Sequence, residues 1–177
     1  MSKGFTLVEL LIVIGILAIL TAAVIVVLNP AELLRQARDA QRFADLDSLR
    51  SAISLYLATA SSPALGETAQ CTVGTTFDSS KSCSTATSTA TNGTGWAAVN
   101  LEATSGGSPI SALPSDPVNN ASYYYAYDGN NSAATFELNA RLESTKYATT
   151  EDRDATDGGS DDAVYEVGTE PGLDLGQ

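Results

Sequence analysis

The 177-residue chain carries 21 acidic and 9 basic side chains, no histidine and two cysteines, and its formal net charge is −12. This charge disfavours nucleic acid as a partner, because phosphate binding depends on clustered Lys and Arg. The absence of histidine removes the commonest general base and zinc ligand, and two cysteines supply at most one disulfide. The sequence shows no nucleophile–base pair, phosphate-binding loop or catalytic metal set, and therefore predicts a structural protein rather than an enzyme.

The first 60 residues differ in character from the rest of the chain. Their charges cancel, so residues 61–177 carry the whole net charge of −12. An uncharged apolar run of 19 residues extends from Leu10 to Leu28, and as a helix it covers about 28 Å, close to the hydrocarbon thickness of a bilayer. The run predicts a transmembrane helix over residues 5–29 in preference to a removed signal peptide. Lys3 precedes the run and predicts a cytoplasmic N-terminus.

A second, amphipathic helix is predicted over residues 30–60. Apolar residues recur in steps of three and four, which places them on one helix face that we expect to cover a sheet. Pro30 predicts a bend or a locally unwound stretch near Asn29-Pro30. The charged side chains, Asp39 and Arg42 among them, are assigned to the opposite, solvated face. The apolar stripe consists of Leu33, Leu34, Ala37, Ala40, Ala44, Leu49, Ala52, Ile53, Tyr56, Leu57 and Ala60.

The string Lys3-Gly4-Phe5-Thr6-Leu7-Val8-Glu9, followed by the apolar run, resembles the processing site of type IV prepilins and pseudopilins. The resemblance implies that a prepilin peptidase and N-methyltransferase removes the leader, residues 1–4, after Gly4 and methylates the amine of Phe5. It also implies that Glu9 pairs with the free amine of Phe5 on a neighbouring subunit. Such a pair would satisfy a carboxylate that is costly to bury in an apolar environment.

The same resemblance implies partners, a location and a fold. The partners are identical subunits in a helical filament, an inner-membrane assembly platform and an assembly ATPase. The precursor is expected to cross the inner membrane once, and the mature protein to lie in an extracellular filament. The expected fold is α+β, with the long N-terminal helix packed on a small antiparallel sheet that belongs to a head formed by residues 61–177.

Within the head, residues 61–112 are rich in Ser and Thr and read as a surface loop. Cys71 and Cys83 lie in this loop, and outside the membrane we expect them to be oxidised to each other. The antiparallel sheet is predicted over residues 122–170. Its strands are expected at 123–127, 135–143 and 163–167, with a turn at 128–131, and Phe136, Leu138, Ala140 and Leu142 share one buried face.

An acidic segment precedes the last predicted strand. Together with Leu113-Pro114-Ser115-Asp116-Pro117 and the Tyr-rich strand, it resembles the head of the major pseudopilin of type II secretion. That resemblance implies a calcium site, for which the candidate ligands are Asp152, Asp154, Asp157, Asp161 and Asp162. The alternative is a solvated loop whose like charges repel one another.

Three functions remain in competition at this point. The first is the major pilin of a surface filament that serves adhesion, motility or DNA uptake. The second is the major pseudopilin of a type II secretion system. The third is a membrane-anchored, calcium-binding surface domain that does not polymerise, and the Gly4, Phe5 and Glu9 set disfavours it. The long disulfide loop favours a pilus, whereas the acidic Gly-Gly loop favours a pseudopilin.

Overall fold

The computed structural model of the chain describes residues 4–74, 76 and 81–175. It confirms the α+β class: two helices are followed by a small five-stranded sheet. The helices are α1 (Leu7–Leu28) and α2 (Pro30–Thr59). The strands are β1 (Gln70–Cys71), β2 (Ser84–Thr85), β3 (Tyr125–Asn130), β4 (Thr135–Ala140) and β5 (Tyr165–Gly168).

The two helices are separated at Asn29, as the Asn29-Pro30 pair predicts. Asn29 adopts a left-handed conformation with φ of 40°, which asparagine tolerates better than most residues. Pro30 occupies the first turn of α2, where its missing N–H costs no helical hydrogen bond. The carbonyl of Asn29 accepts the N–H of Glu32 at 3.0 Å and starts the second helix.

The sheet has the strand order β2-β1-β3-β4-β5. The pairs β1–β3, β3–β4 and β4–β5 are antiparallel, but β1 and β2 run parallel, so the predicted all-antiparallel sheet is wrong at this edge. These two short strands come from the Ser/Thr-rich segment that was expected to be loop alone. The hairpin turn also lies later than predicted: β3 extends to Asn130 and the turn occupies residues 131–134.

One face of the sheet forms the main core with α2. Because side chains alternate along a strand, Tyr125 and Tyr127 of β3 share this face with Phe136, Leu138 and Ala140 of β4, and all of them are buried. The side chains of α2 that cover them are Leu46, Leu49, Ile53 and Tyr56. Trp96 is fully buried in the same cluster and donates its indole N–H to the Pro114 carbonyl at 2.8 Å.

The opposite face of the sheet, which we call the back face, is buried as well, contrary to the prediction of a hairpin with one buried face. Glu137 and Asn139 of β4, Glu166 of β5 and Asp128 of β3 are at most 2% exposed. The C-terminal segment covers this face: the N–H of Leu175 donates to Glu137 Oε2 at 2.9 Å. The polar alternation of β4 therefore lies beneath other chain segments and not in solvent.

Candidate assembly and processing site

The junction between Gly4 and Phe5 lies in non-helical backbone ahead of α1. Gly4 is exposed, and the Phe5 side chain is 88% exposed. A peptidase needs its scissile bond outside regular structure and accessible from solvent. The geometry of the junction therefore suits cleavage after Gly4.

Glu9 and Thr6 form a capping box at the start of α1. The backbone N–H and the hydroxyl of Thr6 both donate to Glu9 Oε2, at 2.8 and 2.7 Å, and the N–H of Glu9 donates back to the Thr6 hydroxyl at 3.2 Å. This arrangement satisfies N–H groups that have no partner inside the helix. In the single subunit this carboxylate, which the resemblance to prepilins pairs with the Phe5 amine of a neighbour, thus has partners of its own.

No part of the chain that the structure describes covers the apolar span of α1. Its residues Leu7–Ile25 have a mean hydropathy of 2.8, and none of this span is buried inside the protein. The span is long and apolar enough to cross a membrane. A helix that is apolar on all sides must be covered by lipid or by other chains, because leaving it in water is strongly unfavourable.

The N-terminal half of α2 places its apolar stripe outward, so the predicted facing is wrong for this half. Leu33 and Leu34 are 50% and 62% exposed, and Ala37, Ala40 and Ala44 are exposed too. The fully buried residues there are instead Asp39 and Arg42, which had been assigned to the solvated face.

Arg42 lies at the centre of a buried ionic cluster between α2 and the head. Its guanidinium donates to both carboxylate oxygens of Asp116, at 2.6 and 3.0 Å, and to Asp39 Oδ1 at 2.8 Å. It also lies 2.6 Å from Glu143 Oε1. Planar, bidentate pairing of this kind is the strongest geometry available to arginine.

The carboxylates of this cluster also hold backbone segments of the head. Asp39 accepts the N–H groups of Glu143 and Ser144, the residues that follow β4. Asp116 accepts the N–H groups of Val118 and Asn119 at 2.8 and 2.9 Å, which fixes the Pro-Ser-Asp-Pro turn. The cluster therefore attaches two head loops to one turn of α2.

Arg38 adds a second cation at the edge of the cluster. It donates to both oxygens of Glu143, at 2.9 and 2.5 Å, and is 32% exposed. This pairing, helped by Arg42 and opposed by burial, lowers the pKa of Glu143 below its ordinary value of 4.5. Burial acts to lower the pKa of Arg42, but its bonds to Asp116, Glu143 and Asp39 outweigh that effect and raise it. Glu143 and the two arginines are therefore charged at neutral pH.

A positional signal in the sequence could have revealed this cluster. Positions 39 and 42 continue the three- and four-residue steps of the buried positions 46, 49, 53 and 56. The residue types nevertheless argued against burial at these two positions, because Asp and Arg are rarely buried unless they are paired. Their partners, Asp116 and Glu143, are more than 70 residues away along the chain.

The disulfide between Cys71 and Cys83 is present, which confirms the predicted pairing. Cys71 is fully buried on β1, and the two Cα atoms are 5.8 Å apart. The bridge closes the loop beside the parallel pair of β1 and β2. Because one cysteine lies on β1 and the other directly precedes β2, the bridge is a structural cross-link.

The five aspartates proposed as calcium ligands do not converge on a common point. Asp157 accepts the N–H groups of Gly159 and Glu166, at 2.8 and 2.6 Å, and Asp161 accepts that of Ala163. Among the described residues, no group of three or more Asp, Glu, His or Cys side chains is arranged to hold a metal ion. Asp152 and Asp162 are exposed and Asp154 is buried. Calcium binding stays a prediction, and it requires the loop to rearrange.

Glu137 and Glu166 are buried carboxyl groups that influence each other on the back face, beneath the acidic loop. Glu166 accepts the N–H of Asp161 at 3.0 Å. Burial, together with the hydrogen bond and charge of Glu137, raises the pKa of Glu166 to about 8. Glu166 therefore keeps its proton at neutral pH.

Comparison with known proteins agrees with the features of the N-terminus. Residues 1–25 match the family model described as the prokaryotic N-terminal methylation motif, which is the signature of type IV pilins and pseudopilins. No curated protein and no solved structure matches the chain. The chain thus carries the pilin-type methylation motif on an α+β protein with an unburied apolar helix. The match does not extend into the head.

Proposed function

We propose that this chain is the major structural subunit of a type IV pilus and has no enzymatic activity. The observation that carries the proposal is α1, whose apolar span is exposed along its whole length behind a methylation motif. The described hydrophobic core is formed by α2, the sheet and the head loops, and α1 contributes no side chain to it. The apolar surface of α1 is thus available for lipid before assembly and for identical subunits afterwards.

The position of Glu9 supports the proposal that α1 packs against other subunits in a filament. In the single subunit its carboxylate is satisfied locally by Thr6. When helices pack in a filament core, the negative charge loses its solvent and gains most from a cation beside it. The free amine of Phe5 on a neighbouring subunit supplies that cation only after the leader is removed. Processed subunits are thereby favoured over unprocessed ones.

The remaining partners and the location follow from this role. A prepilin peptidase and N-methyltransferase acts at Gly4 and Phe5, and an assembly platform and ATPase drive polymerisation at the inner membrane. The precursor crosses that membrane once, and the mature subunit lies in an extracellular filament used for adhesion, motility or DNA uptake. The filament does not bind DNA directly through the head, because residues 61–177 hold 4 basic and 16 acidic side chains.

The second candidate is the major pseudopilin of a type II secretion system. The observation that favours it is the acidic Gly-Gly loop, which closes onto Glu166 through Asp157 and Asp161. Both candidates polymerise through α1, so the two differ in the machinery they serve and in the length of the filament. Neighbouring genes for a retraction-type ATPase favour the pilus, and genes for a secretion secretin favour the pseudopilus.

The proposal is tested by shearing fibres from cells that express the chain. Electron microscopy is expected to show thin filaments, and peptide mapping of the sheared material is expected to give an N-terminal peptide that begins at methylated Phe5. A strain lacking the peptidase is the control and should retain full-length precursor in the membrane. Processed subunits that remain in the membrane without any filament would contradict the polymerisation role.

A further inference from the structure

Lys81 and Asp128 form a contact that the proposed function does not use. Lys81 belongs to the disulfide loop, two residues before Cys83, and its Nζ atom contacts Asp128 Oδ2 directly. The Asp128 side chain is 3% exposed and that of Lys81 is 37% exposed. Asp128 Oδ1 accepts the N–H of Gly129 at 2.9 Å, which fixes the carboxyl group with its other oxygen toward the amine.

A buried carboxyl group lies next to this pair on the back face. Glu137 is fully buried and stands directly across from Asp128 in the register of β3 and β4, where cross-strand side chains are neighbours. Leu175 contacts both Glu137 and Lys81: its N–H donates to Glu137 Oε2 at 2.9 Å, and its carbonyl accepts from Lys81 Nζ at 2.5 Å. An amine and two carboxyl groups, one of them held by Gly129 and the other fully buried, thus lie together.

We propose that Lys81 and Asp128 become joined by an intramolecular isopeptide bond, with Glu137 as the group that relays the proton. The ion pair begins as an ammonium and a carboxylate. One proton passes from Nζ through Glu137 to the Asp128 carboxyl group, and the neutral amine attacks Cγ. The Nζ–Cγ bond forms, a second proton passes from Nζ to the hydroxyl group on Cγ, the bond from Cγ to that oxygen breaks, and one water molecule leaves. The step needs no oxidant or co-reactant.

The fold supplies what makes such a condensation feasible. The disulfide and the back face hold the amine against the carboxyl group, and this replaces a bimolecular encounter by a fixed geometry. A cavity of about 260 Å³, lined in part by Glu67 and Asn130, opens beside the pair and gives the water an exit. The product amide keeps its N–H directed at the Leu175 carbonyl. The loop would then be attached to β3 by a bond that reducing agents do not break.

The test uses the full-length chain, purified from membranes in detergent, reduced, denatured and digested with trypsin. Trypsin cuts after Arg50, Lys81 and Arg141 when their side chains are free. The proposal predicts one peptide spanning residues 51–141, about 18 Da lighter than its sequence mass, with fragmentation placing the link between Lys81 and Asp128. Separate peptides 51–81 and 82–141 at their sequence masses would overturn it.

Two other results would also overturn the proposal. The Asp128-Gly129 pair can lose water alone by forming a succinimide, but trypsin then still cuts after Lys81. A peptide 51–141 at its full sequence mass is a missed cleavage without a bond. Lys81→Arg keeps the positive charge and serves as the matched control, which must be cut at position 81 and show no water loss. Asp128→Ala must behave in the same way.

Glu137→Gln tests the relay. Its linked fraction is expected to fall well below that of the unaltered chain, while the fluorescence of the buried Trp96 shows that the head remains folded. Complete linkage in Glu137→Gln would remove Glu137 from the proposed step.

Discussion

Removal of the Arg42 side-chain charge is the sharpest test of how the head is attached to α2. In Arg42→Met, the carboxylates of Asp39, Asp116 and Glu143 keep their buried positions but lose their central cation. Breaking a buried ion pair by deleting one partner costs about 3–5 kcal/mol. At about 2–4 °C per kcal/mol for a chain of this size, Tm should fall by about 6–20 °C.

The fluorescence of Trp96 provides the assay. It is the only tryptophan of the chain and is fully buried in the head, so its thermal transition in the detergent-solubilised protein reports the head and not α1. Arg38→Met is the matched control, because Arg38 is partly exposed and Glu143 remains paired with Arg42. The control should cost about 0.5–1 kcal/mol.

The dependence of Tm on pH provides a second test with the same variant. Because the folded pKa of Glu143 lies below its ordinary value of 4.5, its pairing stabilises the head above that pH. This stabilisation is lost as the pH falls through the folded value. In Arg42→Met, Glu143 is paired with one cation fewer, so acid removes less stabilisation from the variant than from the unaltered chain. The difference in Tm between the two should therefore narrow as the pH falls. An unchanged Tm in Arg42→Met, or a gap independent of pH, would refute this account of the cluster.

Four further predictions concern assembly and the acidic surface. Glu9→Ala should insert and be cleaved but yield few sheared fibres, whereas Thr6→Ala, which loses the helix cap and keeps the charge, should assemble; equal fibre yields would argue against charge pairing. Because Glu166 holds its proton to about pH 8 when folded and to about 4.5 when unfolded, stability should decline as the pH rises between these values. Glu166→Gln should therefore raise the free energy of unfolding at pH 8 by more than about 1.4 kcal/mol, seen as a higher Tm, and should have no effect near pH 4.5. A Tm difference between the variant and the unaltered chain that is the same at both pH values would contradict the raised pKa of Glu166. Calcium binding by the acidic loop predicts a rise in Tm that EGTA reverses, and no shift at millimolar calcium contradicts it. Fibre bundling, followed by light scattering, should increase with salt as repulsion between acidic heads is screened; fibres insensitive to salt would contradict this.

The features that the sequence predicted well depend on neighbouring residues. The apolar run at 10–28, the interruption at Asn29-Pro30 and the alternation around Phe136 are all visible within one or two turns or a single strand. The disulfide needed only a count of cysteines and an oxidising compartment. The methylation motif is likewise a local string, and it lies within the 25 residues that match the family model.

The features that the sequence did not predict depend on distant partners. Asp39 and Arg42 were placed in solvent because burial of a charge is favourable only with a partner, and the partners Asp116 and Glu143 are brought in by the fold. Glu137 lies on the polar side of an alternating strand, and it is covered only because the C-terminal segment returns over it. The strands β1 and β2, of two residues each, are too short to have a periodicity.

The use of charge in the N-terminal half of α2 explains why its apolar residues remain outside. A helix that attached its whole length to the head through leucine and alanine would have only a polar face left for other chains. Here Asp39 and Arg42 make the attachment to the head in this half, so Leu33 and Leu34 stay exposed. An apolar surface therefore continues past α1 onto the helix that carries the head. Because hydrogen bonds of the ionic cluster are directional while apolar contacts are not, the cluster also fixes the orientation of the head on α2. The same pair of residues thus leaves α2 available for packing between subunits and fixes the head in one orientation, both of which a regular filament requires.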